Sequence, residues 1–456
     1  MPTYANAMEL IGNTPLMRVS NLDTGPCELY LKLENSNPTG SIKDRIGLSM
    51  IEAAEQDGSL RPGGTIVEGT AGNTGLALAL VAQQKGYRLI LVIPDKMSRE
   101  KIFNLKAMGA EVVMTRSDVA KGHPEYYQDK AQAIAERTEG AVFINQFANP
   151  ANPHAHETIT GPEIHEQMDQ RVDAVICGVG SGGTLTGLSR FFARAAPDTE
   201  MVLADPKGSI LAEYVRTGRT DLEGGSWLIE GIGEDFIPPV ADLSHVHNAI
   251  TVDDKESLLC GRELLRAEGI LGGTSTGTCL AAALRYCRGQ RTPKRVVTFV
   301  CDTGNKYLSK MYNDHWLEDQ GFIERHRYGD LRDLVKHPFD ERDTVVIGPD
   351  EPLTTAYARM KLYDVSQLPV MDNDRVVGIV DESDLLLAVY GHVDHFRSPV
   401  REAMITQLEK VDVRASLDDV LAIFKAGHVA IVTEGDHFHG LITQIDLLNY
   451  LRRKTD

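Results

Sequence analysis

Twice in this chain an apolar run of strand character empties into a glycine-rich polar loop and then into a helical pattern. Thr65-Ile66-Val67-Glu68 leads into Gly69-Thr70-Ala71-Gly72-Asn73-Thr74-Gly75, and the helical run at 76–85 closes on Gly86. Asp173-Ala174-Val175-Ile176-Cys177 leads into Gly178-Val179-Gly180-Ser181-Gly182-Gly183-Thr184-Leu185-Thr186-Gly187 and a further helix. The runs at 88–94 and 111–114 repeat the strand signal, so the spacing predicts parallel βα sheets and an α/β protein. Loop amides at a helix start converge on one point and hold a carboxylate or a phosphate. A dinucleotide-binding fold is the rival. Residues 178–183 depart from GxGxxG, however, and no acidic residue ends a second strand at the required distance.

Ahead of these loops stands Asn37-Pro38-Thr39-Gly40-Ser41-Ile42-Lys43-Asp44-Arg45, followed by an amphipathic run at 46–54. The turn residues put Lys43 at a helix start, where the positive end of the helix dipole disfavours the ammonium form. A neutral amine is the form that attacks a carbonyl carbon. Taken alone, such a lysine is a surface residue. Farther on, 145–153 reads as a turn-rich loop and 158–164 as the start of a helix with Pro162 near its first turn. Glu230-Gly231-Ile232-Gly233-Glu234 is a glycine loop before Pro238-Pro239, and Gly272-Gly273-Thr274-Ser275-Thr276-Gly277 opens a helix expected from Thr278.

The formal charge of -18 disfavours binding to nucleic acid or an anionic membrane. The N-terminus lacks a signal-peptide pattern and no run of about 18 apolar residues occurs, which leaves the cytoplasm as the expected compartment. The six cysteines show neither CxxC spacing nor close Cys/His pairs, so they read as reduced core thiols and no metal site is expected.

Four motifs in this order, over roughly residues 8 to 320, resemble the fold-type II pyridoxal-phosphate (PLP) enzymes. That family folds as two doubly wound α/β subdomains. The resemblance implies that Lys43 holds PLP and moves the substrate Cα proton, and that Gly180, Ser181, Gly182, Gly183 and Thr184 cradle the phosphate. It implies that Ser275 meets the pyridine nitrogen, and that Thr70, Gly72, Asn73, Thr74 and Gln146 bind the substrate carboxylate, with Asn73 also on the ring hydroxyl. Gly231 would line the side of the second substrate. The family usually has Ser where Ala71 stands, and Glu234 replaces an expected aromatic residue. Ser275 is neutral, so it does not force a proton onto the ring nitrogen, which suits β-elimination through an aminoacrylate. With its appended module the chain is most similar to the cystathionine β-synthase family, which condenses L-serine with L-homocysteine; hydrogen sulfide release from cysteine is allowed by the same chemistry. Cysteine synthases, which use O-acetylserine and sulfide, are near relatives and remain the alternative. A catalytically silent sensor is opposed by the intact Lys43, Asn73 and Ser275. Only a dozen residues precede Asn13-Thr14-Pro15-Leu16, too few for the haem-binding extension of animal members, so no haem is expected.

Residues 326–338 read as a linker between a catalytic domain (1–325) and a duplicated region (339–456). In that region Gly378-Ile379-Val380-Asp381-Glu382-Ser383-Asp384 recurs as Gly440-Leu441-Ile442-Thr443-Gln444-Ile445-Asp446, a displacement of 440 - 378 = 62 residues. The two units resemble tandem CBS domains, a Bateman module of βαββα units. The resemblance implies a ligand site at Thr443 and Asp446. In the first copy Asp381 adds a carboxylate beside Asp384 and repels polyphosphate, so an adenosyl ligand such as S-adenosylmethionine is expected over ATP. A static module that fixes oligomer geometry is the rival, and a homodimer or higher homo-oligomer is expected.

Overall fold

The computed structural model describes residues 3–70, 72–95, 99–119, 121–324 and 327–453. The departure at Ala71, the junction of 325 with 326 and the last three residues of the expected 339–456 module lie outside the described residues. The chain forms two compact units, Met1–Asn313 and Asp314–Asp456.

The first unit holds two sheets. Strands β1 (Leu16–Arg18), β2 (Glu28–Leu33), β3 (Thr65–Gly69), β4 (Arg88–Pro94), β5 (Glu111–Thr115), β6 (Ala141–Phe143), β7 (Ala174–Gly178), β8 (Glu200–Pro206), β9 (Val246–Val252) and β10 (Arg295–Val300) sort into a six-stranded sheet of order β1-β2-β10-β7-β8-β9 and a four-stranded sheet of order β5-β4-β3-β6. Among the described strands of this unit only β1 runs antiparallel to its neighbour; the other pairs are parallel. The strands are apolar on both faces because helices cover both. In β7, Ala174 and Ile176 pack against the helix Thr274–Arg288, while Val175 and Cys177 pack against Leu185, Leu188 and Phe192 of the helix Gly183–Ala195. Strands β3 and β4 divide their side chains in the same way. This confirms two helix-covered sheets.

Two helix starts in this unit lie four or more residues ahead of expectation. A continuous helical segment starts at Ala151, not near 158: Ala151–Ala155 runs into a wide π turn at His156–Thr160 and then Gly161–Gln167. Pro153 falls in its first turn, where a missing N–H costs no helical bond. The helix expected from Thr278 begins four residues earlier, at Thr274.

The second unit contains two copies of one motif. In the first, a parallel bridge from Ile347 to Val370 precedes the helix Leu353–Tyr363; antiparallel β11 (Gln367–Asp372) and β12 (Arg375–Asp381) and the helix Glu382–Val389 follow. The second copy runs β13 (Lys410–Asp412), helix Leu417–Lys425, β14 (Ala430–Glu434), β15 (His437–Ile442) and helix Gln444–Arg453. Each copy has its own apolar core, and Met371, Val376, Ile431 and Phe438 join the two. The unit begins at Asp314, ahead of the expected boundary at 325. Within the segment expected as linker, Leu331, Leu334 and Val335 are buried in the core of the second copy. A proline and many charges mask that short apolar run in the sequence.

Candidate active site

In the first unit a small cavity of about 40 Å³ lies at the carboxyl ends of the parallel strands, the place where open α/β sheets bind ligands. Lys43, Asn73, Gly180, Gly182, Gly183, Thr184, Gly231 and Ser275 all line it. The local sequence explains each placement. Gly40, at φ +76, turns the chain, and Lys43 becomes the first residue of the helix Lys43–Gln56. Gly72 caps the helix Asn73–Lys85. Gly182 adopts φ +90 as the cap of Gly183–Ala195. A side chain at Gly183 would begin 1.8 Å from Asn152 Oδ1, so only glycine lets this helix start reach the cavity.

The electrostatics favour a nucleophilic amine. Burial lowers the Lys43 amine from its ordinary value, against the raising influence of Cys301, Cys177, Asp302 and Glu234. Burial also pushes the Cys177 thiol up, and a hydrogen bond with Cys279, together with burial, pushes Cys301 up. Both thiols therefore stay protonated, which leaves the amine as the reactive nucleophile of the cavity.

The remaining candidates sit on connected supports. Thr74 Oγ1 donates to Gln146 Oε1 at 2.7 Å. Asn152 Nδ2 donates to the Gln146 carbonyl at 2.8 Å and to Ser181 Oγ at 2.9 Å. One chain of bonds thus ties the 70–75 loop to the 178–184 loop. Thr70 Oγ1 accepts from Gly72 N at 3.3 Å. Thr184 Oγ1 lies 3.1 Å from His156 Nε2, and His156 Nδ1 lies 2.9 Å from Thr160 Oγ1. Burial, with Arg45 and Lys43 nearby, holds His156 well below its ordinary value, so it is neutral. Thr443 and Asp446 lie in the second unit, where Asp446 Oδ2 accepts from Thr443 N at 2.8 Å and from Thr443 Oγ1 at 2.5 Å.

Sequence reasoning missed several groups. Asn73 Nδ2 donates to Asp302 Oδ2 at 2.8 Å, and Asn73 Oδ1 accepts from Lys306 Nζ at 2.5 Å. Tyr307 OH donates to the same Asp302 oxygen at 2.7 Å. The signal for them was the polar turn Asp302-Thr303-Gly304 straight after buried β10. Glu34 and Arg45 form a buried pair joined by Lys32 and Glu163. The loop at Glu230 to Glu234 was singled out in the sequence, but not its partners: Glu230 binds Lys310 at 2.9 Å and also pairs with Lys101. Glu234, pushed up to about 8 by burial and then by Asp235, sits within electrostatic reach of Lys43.

Comparison with known proteins agrees with this geometry. Residues 7–302 match the family model "Pyridoxal-phosphate dependent enzyme", and residues 332–391 and 400–453 match the CBS domain. The chain is 36% identical over 462 residues to a cystathionine β-synthase of Dictyostelium discoideum, covering 98% of this chain and 92% of that one. Cysteine synthase A of Escherichia coli (strain K12) is 41% identical over 302 residues, covering 66% of this chain and 92% of the relative. The crystal structure of a hydrogen sulfide-producing enzyme from Fusobacterium nucleatum matches at TM-score 0.63 and 36% identity, over 67% of this chain and 100% of the other. The residues present fit pyridoxal phosphate: an amine whose hold on its proton burial weakens, a helix start opened by glycine for a phosphate, and a buried neutral hydroxyl at Ser275. The catalytic-family match, the paired modules and the similarity over nearly the full length together show that the chain belongs to the cystathionine β-synthase family of pyridoxal-phosphate dependent enzymes.

Proposed function

We propose that this chain carries out β-replacement on an amino acid, condensing L-serine with L-homocysteine to L-cystathionine and water. The observation that carries the reading is the convergence of the Lys43 amine, the 180–184 loop and the Ser275 hydroxyl on one cavity. Pyridoxal phosphate bound there supplies an electron sink that labilises the Cα proton and lets the β-substituent leave. Lys43 is the amine that holds the cofactor; once free, its Nζ takes the Cα proton and passes it to the departing hydroxyl. The amides at Gly180 to Thr184 bind the phosphate. Ser181 Oγ already accepts from Asn152, so its own proton is left to donate to that anion. Thr70, Gly72, Asn73, Thr74 and Gln146 grip the substrate carboxylate, and Ser275 contacts the ring nitrogen without protonating it. Gly231 and Glu234 border the side that the thiol substrate enters.

Similarity to cysteine synthase A over the catalytic region favours a second reading, cysteine formation from O-acetylserine and sulfide. Release of hydrogen sulfide from cysteine would use the same residues. Product analysis separates them: cystathionine from serine plus homocysteine at a kcat/KM well above that for cysteine from O-acetylserine plus sulfide supports the first reading, and the reverse order overturns it. We assign catalysis to residues 1–325 and regulation to 339–456, through an adenosyl ligand such as S-adenosylmethionine at Thr443 and Asp446. The chain is placed in the cytoplasm as a homodimer or higher homo-oligomer. No helix among the described residues is long and apolar enough to cross a membrane.

A further inference from the structure

Strand β15 carries His437 and His439 two residues apart, on either side of Phe438 and beside a register shift against β14, and Asp340 meets both. His437 Nε2 lies 2.8 Å from Asp340 Oδ1, and His439 Nδ1 lies 3.2 Å from Asp340 Oδ2. The two rings are nearly perpendicular, at 80°, with centroids 4.6 Å apart. One donor atom from each of the three side chains lies within 4.8 Å of the others. Two imidazoles and one carboxylate with an open side make a donor set suited to zinc and neighbouring divalent transition metals.

The second observation is the state of His439. The residue is only 9% exposed, and its Nε2 is buried with no hydrogen-bond partner. Glu434 Oε2 lies 3.8 Å from that nitrogen. If the ring proton sits on Nδ1 it satisfies Asp340, but a bare Nε2 then faces a carboxylate oxygen. If the proton sits on Nε2, a bare Nδ1 faces Asp340 instead. Each neutral tautomer sets a lone pair against an acceptor. A metal ion on Nδ1 is one arrangement that removes the conflict, because the proton then sits on Nε2 and points at Glu434, the usual carboxylate–histidine–metal relay. Asp340 supplies one negative charge to the ion directly, and Glu434 supplies a second behind the ring, offset in part by Arg414. Arg414 holds the other Glu434 oxygen, at 3.4 Å. A cavity of about 160 Å³ bordered by Asp340 and His439 gives access and room for water at the open position.

We propose that Asp340, His437 and His439 bind one divalent transition-metal ion in the second unit, with Glu434 fixing the His439 tautomer. The His437-x-His439 pair is visible in the sequence, but the carboxylate that completes the set, Asp340, lies 97 residues from His437 and is brought there only by folding. A second group, His315, His337 and Asp343, also gathers metal-type ligands. There both rings converge on a single oxygen of Asp343, and no orphaned ring nitrogen accompanies them among the described residues. That group serves as the control.

The full-length holoenzyme, stripped with EDTA, is titrated with Zn2+ by calorimetry and with Co2+ by visible absorption. The expected result is one ion per chain and a raised melting temperature, both retained in His337→Ala. Asp340→Asn and His437→Ala alter half-exposed side chains and should keep the wild-type melting temperature in EDTA while losing at least about 100-fold in affinity. Glu434→Gln should weaken binding by about 10- to 100-fold. Four results would overturn the proposal: no binding by wild type, undiminished binding by Asp340→Asn, loss of binding in His337→Ala instead, or a thiolate-to-cobalt charge-transfer band that puts the ion on cysteine.

Discussion

Arg45 stands two residues beyond Lys43, and its replacement is the most informative test of what holds the site. Its guanidinium donates to Glu34 at 2.7 and 2.8 Å and to Glu163 at 2.9 and 2.7 Å. Arg45 is 2% exposed and Glu34 0%. Lys32, Arg45, Glu34 and Glu163 sum to zero charge, so Arg45→Met leaves one uncompensated buried carboxylate. Glu34 keeps only neutral donors, Thr14 Oγ1 at 2.7 Å and Asn37 Nδ2 at 2.9 Å. Breaking such a pair costs about 3 to 5 kcal/mol. At about 2 °C per kcal/mol for a unit of this size, the catalytic transition should fall by roughly 6 to 10 °C in calorimetry. The double variant Arg45→Met/Glu34→Gln removes the stranded charge and should recover part of the loss. A fall of less than about 2 °C, or a double variant no more stable than the single one, would refute the reasoning.

The same network sets an acid limit. Burial alone would raise Glu163, but the hydrogen bonds and charge of Arg45, with Lys32, hold it at about 2 against an ordinary 4.5. A depressed carboxyl contributes stability above its unfolded value and loses it as pH falls, here from about 4.5 towards 2; the gap corresponds to about 3 kcal/mol. In urea titrations the stability difference between wild type and Glu163→Gln should therefore shrink steadily below pH 4.5, and a constant difference would count against the assignment. Ser275→Asp should shift the visible absorbance of the holoenzyme and slow β-replacement by at least about tenfold, or about 1.4 kcal/mol in the barrier; unchanged spectra and rates would make Ser275 a packing residue only. Calorimetry with S-adenosylmethionine, AMP and ATP should show S-adenosylmethionine binding to wild type and not to Asp446→Ala, with a change in activity of roughly 5- to 150-fold if the module is a switch. Silence with all three ligands leaves a structural module.

What the sequence made legible was local. Apolar runs such as β4 and β7 are buried on both faces by neighbouring helices, so they stand out without knowledge of their partners. Gly86 and Gly182 announce the backbone turns they make. The groups that support the site were hidden for the opposite reason. Asn73 and Asp302 are 229 residues apart, and Lys32 and Glu163 are 131 apart, so only the folded sheets bring them together. Thr443 and Asp446 stood out because a hydroxyl and a carboxylate three residues apart mark a helix start, where Asp446 accepts from Thr443. The helix from Ala151 was concealed by Pro150 and Pro153, residues that punctuate turns as readily as they open helices.

The central claim is that Lys43, and no other buried amine, carries the cofactor. Lys306 is the internal control: burial lowers its amine too, and it lies against Asn73. Borohydride reduction of the holoenzyme followed by peptide mapping should place the pyridoxyl group on the peptide containing Lys43, and Lys43→Ala should carry no label and form no cystathionine while remaining folded. A label on Lys306, or turnover by Lys43→Ala, would contradict the account.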